Sequence, residues 1–328
     1  IDNDLFVHDH VGLLLARAFP ERIALQENKH GSRYKLAGGQ FATLPQHDDL
    51  IRESCLVIAR LDAGNKEGRI FLAAPCSEKD LLNLAKDEER IFWDDERQMV
   101  AAQIEKRMGA LVLASKPLHQ LPSEKTAAVI IELIKEKGLR MLAWQEHVWQ
   151  WIARVNSLHH WRKDETWPLL TETFLLQELD TWLLPFLTHV YKLSELQKLD
   201  AWLMLQNILP FEMQNKVNEL APAKIEVPTG SQITLQYFDD GSPPVLEVRL
   251  QEMFGLTETP VVNKGRTKIM LHLLSPGYKP VQVTQDLKSF WQNTYHEVRK
   301  ELRMRYPKHH WPEDPWTAEA VRGAKRKQ

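Results

Sequence analysis

Cysteine is almost missing from this chain: Cys55 and Cys76 are the only two in 328 residues. Two thiols cannot make the disulfide framework of a small secreted domain. Each sits inside an apolar, strand-like run, so the expectation is a pair of reduced thiols in a cytoplasmic protein. Long apolar runs are missing too. No stretch approaches the ~20 residues needed to span a bilayer, which argues against a membrane partner. Charge of one sign is not in excess either, since 42 Lys and Arg against 44 Asp and Glu give a formal net charge of −2. Without global attraction for polyanions, any contact with nucleic acid must come from local patches. The chain opens on Ile1-Asp2-Asn3-Asp4, with neither an initiator Met nor a signal-peptide pattern, and so reads as truncated.

The motifs of nucleotide and metal chemistry are lacking as well. The phosphate-cradling G-x-x-x-x-G-K-[ST] is absent; Asn263-Lys264-Gly265-Arg266-Thr267-Lys268 lacks the leading glycine and the strand-to-helix setting. No Asp-Glu-x-His cluster is present to hold Mg²⁺, so the chain alone is not expected to hydrolyse ATP. His296-Glu297-Val298-Arg299-Lys300 starts like the zinc motif H-E-x-x-H, but Lys300 stands where the second ligand must be. The pairs His8/His10, His159-His160 and His309-His310 lack a second ligand cluster. There is no G-x-S-x-G elbow, and neither thiol has the polar setting of a nucleophile. No catalytic residue, metal or cofactor is therefore assigned to this chain.

What is present fits an α+β protein of several modules, with 43% hydrophobic and 26% charged residues. Residues 11–20 have helical spacing and stop at Pro20; so short an apolar helix, with nothing nearby to pack on, reads as the end of a preceding domain, 1–20. Over 21–121 the period is two. Gly38-Gly39 signals a hairpin, 55–61 is apolar on both faces, and a polar loop at Gly64-Asn65-Lys66-Glu67-Gly68 leads to a strand at 69–74. A short helix at 78–86 and strands near 100–105 and 110–115 complete a small β-barrel of the OB type, although an SH3-like barrel or an open sheet would read the same way. Residues 122–221 form a Trp-rich helical module, punctuated by Pro168, Pro185, Pro210 and Pro222. From 222 to 328 the alternation returns in an antiparallel β module with a turn at Pro276-Gly277. A long terminal helix over 285–305 and a basic tail, Arg322 to Lys327, close the chain.

Seven of the eleven tryptophans fall in the helical module. They are either base-stacking platforms or the filling of a helical core, and the spacing of Trp144 and Trp151 favours the core. Trp149 lies off that stripe and is the one expected at the surface. On the terminal helix, Leu287, Trp291, Val298 and Leu302 share one face. Lys288, Arg299 and Arg303 line up beside it within about 60°. Arg305, Tyr306, Lys308 and Trp311 follow directly. Cations for phosphates beside rings for bases are the components of an RNA track, so these seven are the candidate RNA-binding residues. The competing reading is that the basic stems cover the edge of an apolar face and Trp311 anchors the chain's exit on the β module. Glu297 and Glu301 dilute the field.

Several stretches carry a family resemblance. They are Val248-Arg249-Leu250-Gln251-Glu252-Met253-Phe254-Gly255-Leu256-Thr257-Glu258-Thr259-Pro260, His272-Leu273-Leu274-Ser275-Pro276, Val283-Thr284-Gln285-Asp286-Leu287 with Phe290-Trp291, Val298-Arg299-Lys300-Glu301-Leu302-Arg303, Arg305-Tyr306-Pro307-Lys308-His309, and Trp311-Pro312-Glu313-Asp314-Pro315. They resemble the C-terminal region of the bacterial HrpB-type DEAH-box ATP-dependent RNA helicases. Leu14 to Ala24 resembles the exit of the helical bundle in those proteins, and 56–75 their OB-like domain. The resemblance implies a parent with an ATP- and Mg²⁺-dependent motor whose residues fall outside this chain. It implies an accessory role here: contact with single-stranded or structured RNA and coupling to motor domains of the same polypeptide. The alternative is a scaffold that docks a protein partner or the helicase core.

Overall fold

The computed structural model describes residues 9–62 and 67–324. His8, most of the polar loop at 64–68 and the basic end of the tail lie outside the described residues. The chain divides into two compact units, 1–130 and 131–328.

In the first unit five short strands close a barrel: β1 (Ile23–Gln26), β2 (Arg33–Leu36), β3 (Phe41–Thr43), β4 (Cys55–Asp62) and β5 (Gly68–Pro75), in the order β1-β2-β3-β5-β4. All neighbours are antiparallel except β3 and β5. Alternation decides which side chains fill it: Ala24, Tyr34, Leu36, Ala42, Leu56, Ile58 and Ile70 point inward. The Tyr34 hydroxyl is kept off orphan status by the carbonyls of Leu50 and Glu53, 3.0 and 2.9 Å away, and by Gln26 Nε2.

The apolar outer face of β1 and β4 carries Ile23, Cys55 and Val57, and it is covered by Ala16 of α1 (Asp9–Ala18) and Leu81 of α2 (Glu78–Leu84). The helix expected to have nothing to pack on therefore lies on the barrel. Gly12 permits this approach, since a Cβ there would stand 2.0 Å from the Pro75 carbonyl oxygen.

Two expectations for this region are corrected. The strands near 100–105 and 110–115 are not barrel strands; they belong to β7 (Met99–Met108) and β8 (Leu111–Pro117) of a separate antiparallel sheet. Its third strand, β6 (Lys86–Asp94), begins where the helix was expected to end. Lys86-Asp87-Glu88-Glu89-Arg90 shows no apolar alternation; cross-strand pairing such as Lys106–Asp87 (2.9 Å) stands in for it. The chain then enters α3 (Ser123–Lys137).

The second unit continues with α4 (Glu146–Trp161), α5 (Glu172–Gln177), α6 (Leu179–Trp182), α7 (Leu193–Leu196), α8 (Ala201–Gln206) and α9 (Phe211–Leu220). Then come β9 (Lys224–Glu226), β10 (Gln232–Gln236), β11 (Val245–Arg249), the small pair β12 (Val261–Val262) and β13 (Thr267–Lys268), β14 (Met270–Leu274) and β15 (Pro280–Thr284). The five-stranded sheet has the order β15-β14-β11-β10-β9. It is mixed rather than antiparallel, because β11 and β14 run parallel. Alternation fixes which face of a strand is buried but not the direction of its neighbour.

Helix α4 ties the helices to the sheet. Gln150 Oε1 accepts from the Tyr237 amide, Ser157 donates to the Phe238 carbonyl, and Trp161 Nε1 donates to Gly241. Arg154, buried, donates to the Ala221 carbonyl (2.5 Å) and to Asn218 Oδ1 (2.6 Å), capping the C-terminal end of α9. Trp151, Trp167 and Trp182 are core residues, whereas Trp149 and Trp202 are exposed. No helix is long and apolar enough to cross a membrane among the described residues.

Candidate nucleic-acid interface

The terminal helix is built in three pieces: α10 (Leu287–Ser289), a π-turn (Phe290–Thr294) and α11 (Tyr295–Arg305). Asp286 caps its start by accepting from the Ser289 amide (2.8 Å). Leu287, Phe290, Trp291, Tyr295 and Leu302 are buried. Trp291, Phe290, Tyr295 and Phe254 form one aromatic cluster, their centroids 5.1 to 6.4 Å apart. Trp291 Nε1 is satisfied by the Leu256 carbonyl.

The π-turn changes the geometry of the basic stripe. A π-turn holds about one residue more than an α-turn, which shifts the downstream phase by roughly 100°. Lys288 precedes it while Arg299 and Arg303 follow it, so the three cations do not form the continuous line expected from uniform α-helical spacing.

The seven candidates separate by what they touch. Arg299 is only 16% exposed; its Nε donates to the Trp311 carbonyl (3.0 Å) and its Nη2 lies 3.2 Å from Glu313 Oε1. Trp311 is buried and donates Nε1 to the Tyr306 carbonyl (2.9 Å). Tyr306 is half-buried, its hydroxyl 3.4 Å from Ser275 Oγ. These three hold the exit segment down. Tyr295 adds a hydrogen bond to the Pro312 carbonyl, and buried Gln251 bonds the His310 carbonyl and the His309 ring. Lys288 pairs loosely with Glu258 (3.7 Å) and Arg305 with Glu301 (3.1 Å), both at the surface, where such pairs are worth little. Arg303 and Lys308 are exposed and have no ion pair or hydrogen bond among the described residues.

Two aromatic sites were not singled out from sequence. On the outer face of the barrel, Phe71 is 55% exposed, with the guanidinium carbons of Arg60 and Arg69 at 5.9 and 5.7 Å from its ring centre. The signal was there: in Arg69-Ile70-Phe71 the aromatic shares the outward phase with arginine. In the second unit Trp144 and Trp149 stack at 4.8 Å with planes 27° apart. Trp149 was expected at the surface; its ring partner was not foreseen.

Residues 182–315 match the HrpB_C family, ATP-dependent helicase C-terminal. Over 319 residues the chain is 36% identical to the ATP-dependent RNA helicase HrpB of Escherichia coli K12, covering 95% of this chain and 39% of that protein. A crystal structure of the E. coli DExH-box NTPase HrpB superposes with a TM-score of 0.62 at 36% identity, over 95% of this chain and 39% of the other. A second, of the E. coli DEAH/RHA helicase HrpB, gives 0.55 at 34% identity, over 92% and 38%. The chain thus spans under two fifths of the length of these relatives. With the aromatic cluster of the terminal helix and the strapped exit inside the matched span, this polypeptide carries a C-terminal domain of the HrpB helicase type.

Proposed function

We propose that this chain is an RNA-contacting accessory region of an ATP-dependent RNA helicase, coupled to the motor domains of that helicase. The observation that carries the reading is the Phe71 ring, open to solvent between Arg60 and Arg69 on a closed barrel. A ring for a base and two guanidinium groups for phosphates are what sequence-tolerant single-strand binding uses. The strand order, closed through a parallel β3–β5 pair, supports reading the barrel as OB-like. The similarity to HrpB supports RNA as the polymer and the helicase motor as the second partner. ATP and Mg²⁺ would then be the motor's ligands.

A second reading, a docking surface for a protein partner or for the motor itself, rests on Trp202, Leu203 and Phe211. They are 40%, 51% and 75% exposed on neighbouring short helices.

The test is fluorescence anisotropy of a labelled single-stranded RNA with the chain, at about 50 to 200 mM salt, where phosphate contacts dominate the salt dependence. The expected result is weak binding that falls steeply with salt. Replacing Arg60 and Arg69 by Ala should reduce the log–log slope by about 1.4, at about 0.7 per single-strand phosphate contact. Absence of binding at the lowest salt would refute the reading and leave the docking surface in its place.

A further inference from the structure

One face of α4 presents Trp149, Ile152, Asn156 and His160, at spacings of three, four and four. This face lines a cleft of about 580 Å³, within the range of small-ligand sites. From Trp149 to Asn156, whose amide meets the Asp239 carboxylate, the helix rises roughly 10 Å, at 1.5 Å per residue.

Its aromatic end is rigid. Trp144 donates Nε1 to the Leu139 carbonyl (2.7 Å) and packs 6.4 Å from buried Trp182, and Trp149 lies stacked on Trp144 with 46% of its surface open. Leu169, Leu170 and Leu175 supply further apolar lining.

The polar end is equally fixed. Asn156, 2% exposed, has its amide committed: Nδ2 donates to Asp239 Oδ1 (3.1 Å) and to the Leu170 carbonyl, while Oδ1 accepts from the Leu170 amide. His160 Nε2 meets the Asp239 carbonyl at 3.1 Å. Gly241 permits this close junction, since a Cβ there would stand 2.4 Å from the His160 Cβ. The result is an oriented carboxylate, Asp239, with one oxygen engaged by Asn156 and the other unengaged among the described residues.

A slot with an indole face at one end and an acceptor-only carboxylate at the other fits a flat ring whose edge offers donors. The remaining charges in the lining, Arg140 and Glu172, oppose each other, which favours a neutral ring; a basic peptide would meet Arg140 as a like charge. Guanine carries N1–H and the N2 amino group side by side, a pair that a single carboxylate accepts together. We propose that this cleft takes one unstacked guanine base of an RNA strand, its face on Trp149 and its Watson–Crick edge on Asp239. This proposal rests on the RNA-contacting reading above.

The test compares two single-stranded heptamers on the whole chain, UUUGUUU and all-uridine, with guanosine and uridine titrated calorimetrically in parallel. The guanine heptamer should bind about tenfold more tightly, in the range of one stacked base. Trp149→Ala, at a largely exposed position, should abolish that advantage. Asp239→Asn, which keeps the acceptor for Asn156, should remove the guanine preference, so that the two heptamers bind alike. Equal binding of both heptamers, or a preference that survives Trp149→Ala, overturns the proposal while the RNA-contacting reading stands. If neither heptamer binds, that reading fails; guanosine binding that is lost in Trp149→Ala would then still support the slot, and its absence would overturn it. An arginine-rich peptide that binds and loses affinity in both variants overturns the guanine assignment in favour of a basic ligand.

Discussion

Replacing Arg299 separates anchoring from RNA contact at the terminal helix. Its guanidinium, mostly buried, donates to the Trp311 carbonyl and lies beside a Glu313 side chain that is 87% exposed. A hydrogen bond from a charged donor contributes about 1.5–3 kcal/mol, and an ion pair with so exposed a partner adds about 0–1 kcal/mol. Arg299→Ala should therefore destabilise the second unit by about 2–3 kcal/mol. With a urea m-value of about 2–3 kcal/mol per molar, its unfolding midpoint should fall by about 1 M. Tryptophan fluorescence reports the transition, since Trp291 and Trp311 are buried in this region. Arg303→Ala with Lys308→Ala should leave that midpoint in place and flatten the RNA salt slope by about 1.4, at about 0.7 per phosphate contact. The reasoning is refuted if Arg299→Ala keeps the wild-type midpoint while flattening the slope as much as the double variant does.

Two further outcomes follow from buried polar contacts. Arg154→Met keeps the stem but leaves the Ala221 carbonyl and Asn218 without their donor; a loss of about 2–4 kcal/mol is expected in urea unfolding, and a loss under 0.5 kcal/mol (about a third of a tenfold step) would mean that the end of α9 does not need its cap. Burial, and then the Arg249 cation, hold the His309 pKa below its ordinary value of 6.5. The unfolded chain then takes up a proton that the folded one resists, so this contribution is present above about pH 6.5 and lost as pH falls through the folded value. The urea midpoint should drop between pH 7.5 and 5.5 and drop less in His309→Gln; identical shifts in the two proteins would exclude the histidine as a source.

The barrel was legible only in part: its inward residues are apolar and 55–61 is apolar on both faces, but β7 and β8 alternate in the same way and were drawn into it. β6 was not legible, because a strand paired through charged partners looks like a polar loop until its neighbour is known. The terminal helix was legible as a helix but not in its phase, since nothing in Phe290-Trp291-Gln292-Asn293-Thr294 announces a widened turn. The sequence named seven candidate residues on the terminal helix and its exit. It could not tell Arg299, turned onto a backbone carbonyl, from Arg303, turned to solvent, because that depends on the exit chain folding back. The stacked Trp144–Trp149 pair, five residues apart across a helix start, lies beyond any periodicity argument.

The widened turn amounts to a one-residue insertion held permanently inside the terminal helix. Deleting one residue there would let ordinary α geometry close over the gap, at the expense of rotating everything after Tyr295 by a little more than a quarter of a revolution. Leu302 would leave the core and Arg299 would swing away from Trp311. Insertion, helix end and returning strap are thus geared together, and a relative that loses the insertion must redesign the other two.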